Sequence, residues 1–527
     1  MAFLISTIVK LLSLNSREPW LDETYSAYAA SLPFSELIRF TAGDVHPRLF
    51  SVALWTWVQM TGESPSHLRL FSVLINILCV LVMFFFSRRV LGTRAGALAA
   101  TLFAFSPTLF VYSLEIRSYM LFHLVLVSLL YLHWITQVEQ RRSWPLTLGY
   151  SVAGALLIYI HYLGILVLFA LFVHGVMLSW KQRSAFVRVL GAYALIAILF
   201  LPGLPLLLKQ RSEKQLIDQQ LRLSRNNPQA LSAATSTTST STRKPAPLSV
   251  LQNIAALAGV YPSRSRVLLV LLAIPIAAAS GTAVFLWLVP GNPVCVMGGT
   301  VGLVFLVLVI MGGFENHRYY LPLVPLFILM LTRAAWYWSD RFHSAPLSMA
   351  MPMALLLIYL AGFYRQATMP HGQPWTNLVN ALRSRSSSDD EVVFEALYAQ
   401  VPFDYFAHLQ GFQIHETGFP VSIYKWWDEQ PHKAWAGPVL LKSDLDNMAR
   451  SLETGTAHTT WIVSYETQNY DPHQALLKRL GQDGPVAEIT LPPDPDDHDV
   501  TGPSLRLFRF SPASTYTPQK PQYGATP

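Results

Sequence analysis

Residues 68–87 read LRLFSVLINILCVLVMFFFS and lead straight into Arg88 and Arg89, with Arg94 close behind. A helix of about 20 apolar residues matches the roughly 30 Å hydrocarbon core of a bilayer, and arginines just past its end mark a membrane boundary. Working outward, similar segments fall near residues 2–14, 95–112, 119–137, 146–160, 162–180, 187–208, 266–289, 294–313, 319–338 and 347–364. The chain therefore reads as an all-α polytopic membrane bundle of about eleven transmembrane helices over residues 1–365. The first segment is short, and the run from 146 to 180 is divided only by His161 and Tyr162. No basic region precedes Phe3 and no clear small-residue cleavage site follows, so a retained span is expected rather than a signal peptide.

Of the 527 residues, 52% are hydrophobic and 13% charged, against about 25% charged in a soluble domain. The net charge of +7 comes from basic residues scattered through short loops. They lack the clustered stripe or interleaved aromatics that nucleic acid requires, so no nucleic-acid partner is expected. Cys79 and Cys295, the two cysteines, lie in apolar runs and provide neither a disulfide nor a zinc framework. With a cytoplasmic N-terminus, the loops bearing Arg88, Arg89 and Arg94, then Arg141 and Arg142, then Lys181, Arg183 and Arg188, and later Arg341 all fall inside, as the positive-inside bias demands. The same count places Asp22 and Glu23, Glu115 and Arg117, residues 209–265, Glu315 to Arg318 and everything after residue 365 outside. Ionisable residues near the membrane ends thus gather on one face, as an active cavity at that boundary requires.

The first outer loop, residues 15–67, is structured by its pattern. It opens with Pro19-Trp20-Leu21-Asp22-Glu23-Thr24-Tyr25. Paired carboxylates beside lipid are costly unless they face water, a partner or a substrate, although a solvated loop also accounts for them when taken alone. A short helix is expected through Ala27 to Phe40, and Trp55 and Trp57 suit a helix lying in the interface. Pro47 is a good first helical residue, which puts Asp44 and His46 near that helix start. Helix capping for Asp44 and a plain surface position for His46 are the bland readings of these two residues.

Four short motifs carry a resemblance. They are Trp20-Leu21-Asp22-Glu23, Asp44-Val45-His46-Pro47-Arg48-Leu49, Tyr112-Ser113-Leu114-Glu115-Ile116-Arg117-Ser118-Tyr119 and His317-Arg318-Tyr319-Tyr320-Leu321-Pro322. In order and on one side of the membrane, they resemble the bacterial branch of the protein mannosyltransferase and aminoarabinose transferase group, within the GT-C integral-membrane glycosyltransferases. The resemblance covers residues 1–365 and, in outline, the C-terminal extension.

It implies a sugar donor linked to a polyprenyl phosphate, with a lipid, glycan or protein acceptor, in a multi-pass inner-membrane enzyme. Asp22 matches the family's general base, which would take a proton from an acceptor hydroxyl as that hydroxyl attacks the anomeric carbon in a single inverting displacement. Glu23 is expected to tune or position it, making these two the catalytic pair. The departing phosphate needs cations. Arg318 and Arg117 are the candidates, with Tyr119, Tyr319 and Tyr320 beside them and Asp44, His46, Glu115 and His161 lining the site. The alternatives are an Arg117–Glu115 loop pair, a snorkelling Arg318 and a packing role for His161. Arg48 stands where the family commonly has proline and offers a further phosphate contact. Asp22, Asp44 and His46 supply oxygen and nitrogen donors for a divalent ion. The resembled branch works without one, so no cofactor is expected.

Residues 209–265 run from a basic, glutamine-rich start through a Ser-Thr-rich core near 232–242 to a proline-rich end. They read as a flexible loop and a candidate lid, or as an insertion without function. After residue 365 the composition becomes that of a soluble domain. Helical patterns at Trp375 to Arg385 and Pro472 to Leu480 alternate with strand-like runs at Val392 to Glu395, Thr460 to Ser464, Ala487 to Leu491 and Leu505 to Phe510. A small extracytoplasmic α/β domain over residues 366–512 is expected, followed by a disordered tail at 513–527. A multi-span transporter or lipid-linked-sugar flippase is the competing class. It would place substrate groups near the midplane and show two related halves, and no repeat is apparent.

Overall fold

The computed structural model describes residues 2–225, 247–257, 266–289, 291–314, 316–342, 344–368, 374–429, 440–454, 459–465, 474–483, 486–489 and 505–510. Six helices are long and apolar enough to cross a membrane: Pro65–Leu91, Tyr119–Val138, Arg183–Leu216, Pro293–Met311, His317–Ser339 and Pro346–Thr368. Thr93–Ala104 and Pro107–Ser113 form a further apolar pair of helices, bent by 51° where they meet. The shorter apolar helices Ala2–Leu12, Trp144–Ile160, Leu163–Ser179 and Ala273–Leu288 complete the set of apolar segments read from the sequence. The chain is a multi-pass membrane bundle, with large apolar side chains such as Leu78, Phe85, Phe169 and Leu303 left on its outer surface, as a lipid solvent permits.

The bend has a local cause. Pro107 brings no N–H, so the turn before it loses hydrogen-bond donors, and hydrocarbon offers no water to replace them. The Ala104 carbonyl is instead met by Ser6 Oγ at 2.6 Å and Lys10 Nζ at 3.1 Å. Lys10 also donates to Asn76 Oδ1 at 2.7 Å, and Asn76 Nδ2 reaches Met120 Sδ at 3.3 Å. One buried ammonium thereby stitches the first helix to the bent crossing and to Pro65–Leu91. At the opposite end of the bundle the chain reverses on Gly92, whose φ of +81° suits only glycine. Gly96 there packs so closely on the Arg88 backbone that an added Cβ would lie 2.5 Å from it. The neighbouring loops are joined at this end by Glu139, which accepts from Arg89 at 2.6 Å and pairs with Arg141 at 3.2 Å.

Three sequence expectations change. The helix expected through Ala27 to Phe40 is two, Leu21–Ser31 and Phe34–Phe40, separated at Pro33. Pro47 does not begin the next helix, which is Leu49–Thr61 with Arg48 at its N-cap, and Asp44 ends a 3₁₀ turn, Thr41–Gly43, rather than capping a helix start. The presumed loop from 209 is helical to begin with, because Leu204–Arg225 continues as one helix. Its sequence is rich in strong helix formers, and Lys209 and Glu213 pair at 3.8 Å one turn apart. A further helix, Pro247–Leu257, packs on the bundle, with Thr108 Oγ1 and Tyr359 OH donating to its Ala256 and Leu257 carbonyls. The Ser-Thr core and the C-terminal tail lie outside the described residues.

Beyond the bundle, strands β1 (Glu391–Phe394), β2 (His415–Gly418), β3 (Thr460–Ser464), β4 (Val486–Ile489) and β5 (Arg506–Phe510) form one sheet in the order β2-β1-β3-β5-β4. β1 runs parallel to β2 and β3, whereas β5 is antiparallel to β3 and β4. The central β3 is buried throughout, and helices including Trp375–Arg385, Gln400–Leu409 and Lys442–Thr454 accompany the sheet. β2, with the polar sequence His415-Glu416-Thr417-Gly418, has no strand pattern to read. The sheet region rests on the first loop of the bundle. Tyr405 OH donates to the Glu63 carbonyl at 2.8 Å, the Thr376 N–H to Glu18 Oε2 at 3.1 Å, and Trp427 packs on Phe40 with ring centroids 4.8 Å apart.

Replacing Lys10 with alanine leaves the Asn76 carbonyl oxygen without its donor and the Ala104 carbonyl short of one. A loss of about 1–3 kcal/mol is expected, read as an earlier thermal unfolding of the detergent-purified protein. An unchanged transition would remove Lys10 from this role.

Candidate active site

Asp22 and Glu23 occupy the first turn of Leu21–Ser31. Successive side chains on a helix diverge by about 100°, so the adjacent carboxylates face different surroundings. Glu23 turns inward. Its Oε2 accepts from the Trp20 N–H at 3.2 Å and its Oε1 from the Ile116 N–H at 2.9 Å. Both oxygens meet the Arg69 guanidinium at 3.4 Å. Arg69 is fully buried and also donates to the Leu14 and Arg17 carbonyls. Glu23 therefore faces the bundle interior and anchors the start of the helix on which Asp22 sits.

Asp22 turns the other way and is about a third exposed. Its Oδ2 lies 3.4 Å from Arg318 Nη1 and 3.5 Å from Arg117 Nη2. Arg117 Nη1 further holds the Asp22 carbonyl at 3.2 Å and Ser26 Oγ at 3.3 Å, so Arg117 is drawn to Asp22 rather than to Glu115. The Asp22 carboxylate helps keep the Arg117 charge in place against its burial. Arg318 is aimed by a 3₁₀ turn, His317–Leu323, which Asn316 caps by accepting the Arg318 N–H at 3.1 Å. Pro322 and Pro325 lack the donors an ordinary helix would need there.

A narrow pocket lies beside Arg318. Its lining includes Tyr119, Phe122, His161, Tyr319 and Pro322. Arg318 lies 5.6 Å from the Tyr319 ring centre. Tyr320 points elsewhere, its hydroxyl reaching the Phe314 carbonyl at 3.5 Å. His161 interrupts the helices on either side and accepts from the Leu163 N–H at 3.1 Å. Burial, reinforced by His46, Arg117 and Arg318, pushes its pKa down to about 3, so it meets the pocket as a neutral imidazole. His46 faces it at 5.5 Å between ring centres, with its Nδ1–H 3.3 Å from Asp44 Oδ1. Burial tends to raise the Asp44 pKa, but His46 and Arg117 outweigh it and the net shift is downward. Gln210 closes this side, donating to the His46 carbonyl at 3.2 Å and accepting from Tyr162 OH at 2.6 Å.

Several buried polar atoms here have no hydrogen-bond partner: Tyr25 OH, Arg48 Nε, Glu115 Oε2 and Arg117 Nε. Such atoms are rare in folded chains because each costs about 1–3 kcal/mol. Of these residues, Tyr25, Glu115 and Arg117 lie within electrostatic reach of Asp22. The Glu115 pKa is raised to about 8 by burial and then by Glu23, against the pull of Arg17 and Arg117. Among the described residues no three His, Cys, Asp or Glu side chains converge to hold a metal ion. Asp22 lies on the arginines and Asp44 on His46, so the donor set Asp22, Asp44 and His46 is not assembled.

Arg69 and Tyr25 were not singled out in the sequence. Arg69 carried a usable signal, since an arginine just inside an apolar crossing is expensive unless paired. Tyr25 carried none, because aromatic residues are common in boundary helices.

A membrane bundle with a charged cluster at one end and a sheet region beside it has counterparts of similar fold among known proteins. Residues 45–208 match the model of the dolichyl-phosphate-mannose-protein mannosyltransferase family. ArnT from Cupriavidus metallidurans bound to undecaprenyl phosphate superposes with a TM-score of 0.59 at 12% identity, covering 98% of both chains. Its apo form gives a TM-score of 0.57 with the same identity and coverage. The apo oligosaccharyltransferase of Archaeoglobus fulgidus gives 0.52 at 11% identity, over 92% of this chain and 73% of that one. At these identities the structural likeness is one of fold. No curated protein matches the sequence.

Two measurements probe the site's electrostatics. Removing one partner of the buried pair by Glu23→Ala is expected to destabilise the protein by about 3–5 kcal/mol, with Arg69→Met in the same chain recovering part of the loss. Additive losses in the thermal melts would show that the two are not coupled. Glu115 takes up protons more readily folded than unfolded, so its contribution falls as pH rises from 4.5 to about 8. Glu115→Gln, which mimics the neutral acid, should flatten the stability profile across that window and melt later than the parent at pH 8. An unchanged profile would refute this.

Proposed function

We propose that this protein transfers a sugar from a polyprenyl-phosphate donor to an acceptor hydroxyl on the outer face of the membrane. The observation that carries this reading is the Asp22 carboxylate held by Arg117 and by Arg318, the second of which lines the pocket. A lipid phosphate entering the pocket meets two guanidinium groups whose planar forks suit its oxygens. It draws them from Asp22 and frees a carboxylate oxygen beside the reacting centre. Arg48, with its unpartnered Nε, and Tyr119 and Tyr319 add donors around the same headgroup, and the apolar rim accepts the first isoprene units. The bound ligand in the fold relative ArnT, undecaprenyl phosphate, is of this class.

In the reaction the acceptor oxygen attacks the anomeric carbon while the bond from that carbon to the phosphate oxygen breaks. The electron pair leaves with the phosphate, where the arginines stabilise it. The acceptor proton passes to Asp22, and one displacement inverts the anomeric centre. Neutral His161 and the Asp44–His46 pair line the sugar's surroundings, and Glu23 holds the helix that presents Asp22. The cluster at one end of the bundle favours this over a transporter, whose substrate groups gather near the midplane.

The test is transfer from radiolabelled polyprenyl-phosphate sugars by the purified protein, followed as release of lipid phosphate. Asp22→Asn should lower turnover by about 10²–10⁴-fold, while the variant still unfolds at the parental temperature and retains polyprenyl phosphate. Full activity in that variant would sink the assignment of the base.

A further inference from the structure

His123 lines the same pocket as Arg318 and is itself fully buried. Its ring lies between two backbone carbonyls. Nδ1 is 2.8 Å from the Tyr119 oxygen, one turn earlier on its own crossing, and Nε2 is 3.1 Å from the Leu321 oxygen of the turn that aims Arg318. A carbonyl only accepts, so each contact needs a proton on the nitrogen, and a neutral imidazole carries one proton between its two nitrogens. The sequence decides which nitrogen holds it. In a continuing helix the N–H of residue 325 would turn to the Leu321 carbonyl, but that residue is Pro325, and the carbonyl keeps only the Val324 N–H. The Tyr119 carbonyl, by contrast, opens an α-helix and receives the N–H four residues on, that of His123 itself. Nε2–H therefore supplies Leu321, and the Nδ1 lone pair of the neutral ring is left facing an oxygen at 2.8 Å. A second proton turns that repulsive contact into a hydrogen bond in place.

Resting on the proposed function, we infer that His123 is a proton-linked positioning residue of the donor site: it takes a proton on Nδ1 when a polyprenyl phosphate enters, and as an imidazolium it ties the Arg318 turn to the crossing Tyr119–Val138. The surrounding charges set the sign of this linkage. Arg318 lines the pocket with His123, and Arg117 meets Arg318 at the Asp22 carboxylate. Asp22 offsets one of those two arginines, Glu115 is largely protonated at neutral pH, and Asp44 and His46 form their own pair beyond His161. His161, on the same lining, is neutral, and Tyr119 and Tyr319 are the other titratable side chains there. A third cation is therefore opposed until an anion lies among these groups. A phosphate monoester brings up to about two negative charges, which reverses the balance and favours the second proton on the imidazole. That proton comes from water and stays on His123, whereas the acceptor's proton goes to Asp22. Binding that takes up a proton weakens as pH rises.

The experiment uses the full chain in nanodiscs, with undecaprenyl phosphate as the probe. Ring-nitrogen NMR of isotopically labelled histidines reads the protonation of His123 directly, its signals being assigned by their absence from His123→Gln, or from His123→Asn should the first variant fail to fold. At neutral pH the ring should show one N–H and one bare nitrogen without the lipid, and two N–H nitrogens with it. Affinity for undecaprenyl phosphate is then measured from about pH 6 to about pH 9, the range in which an imidazole beside an anion titrates. The parent should lose about tenfold across that range relative to the variant, the equivalent of about one unit of linked shift. Taking the ratio of parent to variant removes the titration of Glu115 and of the lipid phosphate, which both proteins share. The inference alone is overturned if Nδ1 stays bare with the lipid bound, if both nitrogens already carry protons without it, or if the ratio does not change with pH. Should the parent bind the lipid at no pH, the donor reading falls and the inference falls with it.

Discussion

The buried pair of Glu23 and Arg69 fixes the geometry on which the site depends. Two charges withdrawn from water are stable together only when nearly every remaining donor and acceptor is met. Here Glu23 takes the Trp20 and Ile116 N–H groups, and Arg69 takes the Leu14 and Arg17 carbonyls. One ion pair therefore joins the end of the first helix, the start of Leu21–Ser31, the crossing Pro65–Leu91 and the turn leading to Arg117. Because helix geometry separates adjacent side chains, anchoring Glu23 inward obliges Asp22 to face the opening.

The rest of the site follows from charge balance at that opening. Asp22 sits between two guanidinium groups from crossings far apart in sequence, and Glu115 is held beneath as a largely protonated acid at neutral pH. The positive charge exceeds what Asp22 alone neutralises, and several donors remain unmet. In the proposed function a phosphate is the better partner for these arginines, because it offers them more acceptor atoms than one carboxylate oxygen does. The opposite flank is different in kind. Aromatic rings from the sheet region meet the helix of Asp22 there, with Trp427 packed on Tyr25 and Tyr28.

The sheet region acts through contact rather than through chemistry of its own. Trp427, Tyr405 and the Thr376 N–H engage the first loop of the bundle. Those contacts hold the Leu21–Ser31 helix from above while Arg69 holds it from within. A helix of such modest length, with little apolar character on one side, would otherwise be poorly fixed at a membrane surface.

Much of this was legible in the sequence because hydrocarbon is a strict solvent. Apolar runs of the right length with arginines at their ends determine a multi-span bundle. Strands β1, β3, β4 and β5 were readable from their short runs of β-branched, aromatic and other apolar residues, although β3 is buried throughout and β4 is half exposed. β2 and the helical start of the 209–265 segment were not, because polar residues there are stabilised by neighbours and by local pairing rather than by burial. Above all, the sequence shows Asp22 and Glu23 as equals. Only the tertiary structure separates them, since which of two adjacent carboxylates meets an arginine from Pro65–Leu91 and which meets those from the turn before Tyr119 and from His317–Leu323 depends on residues tens to hundreds of positions away. Burial of Arg69, an expensive charge with one available partner, makes that choice.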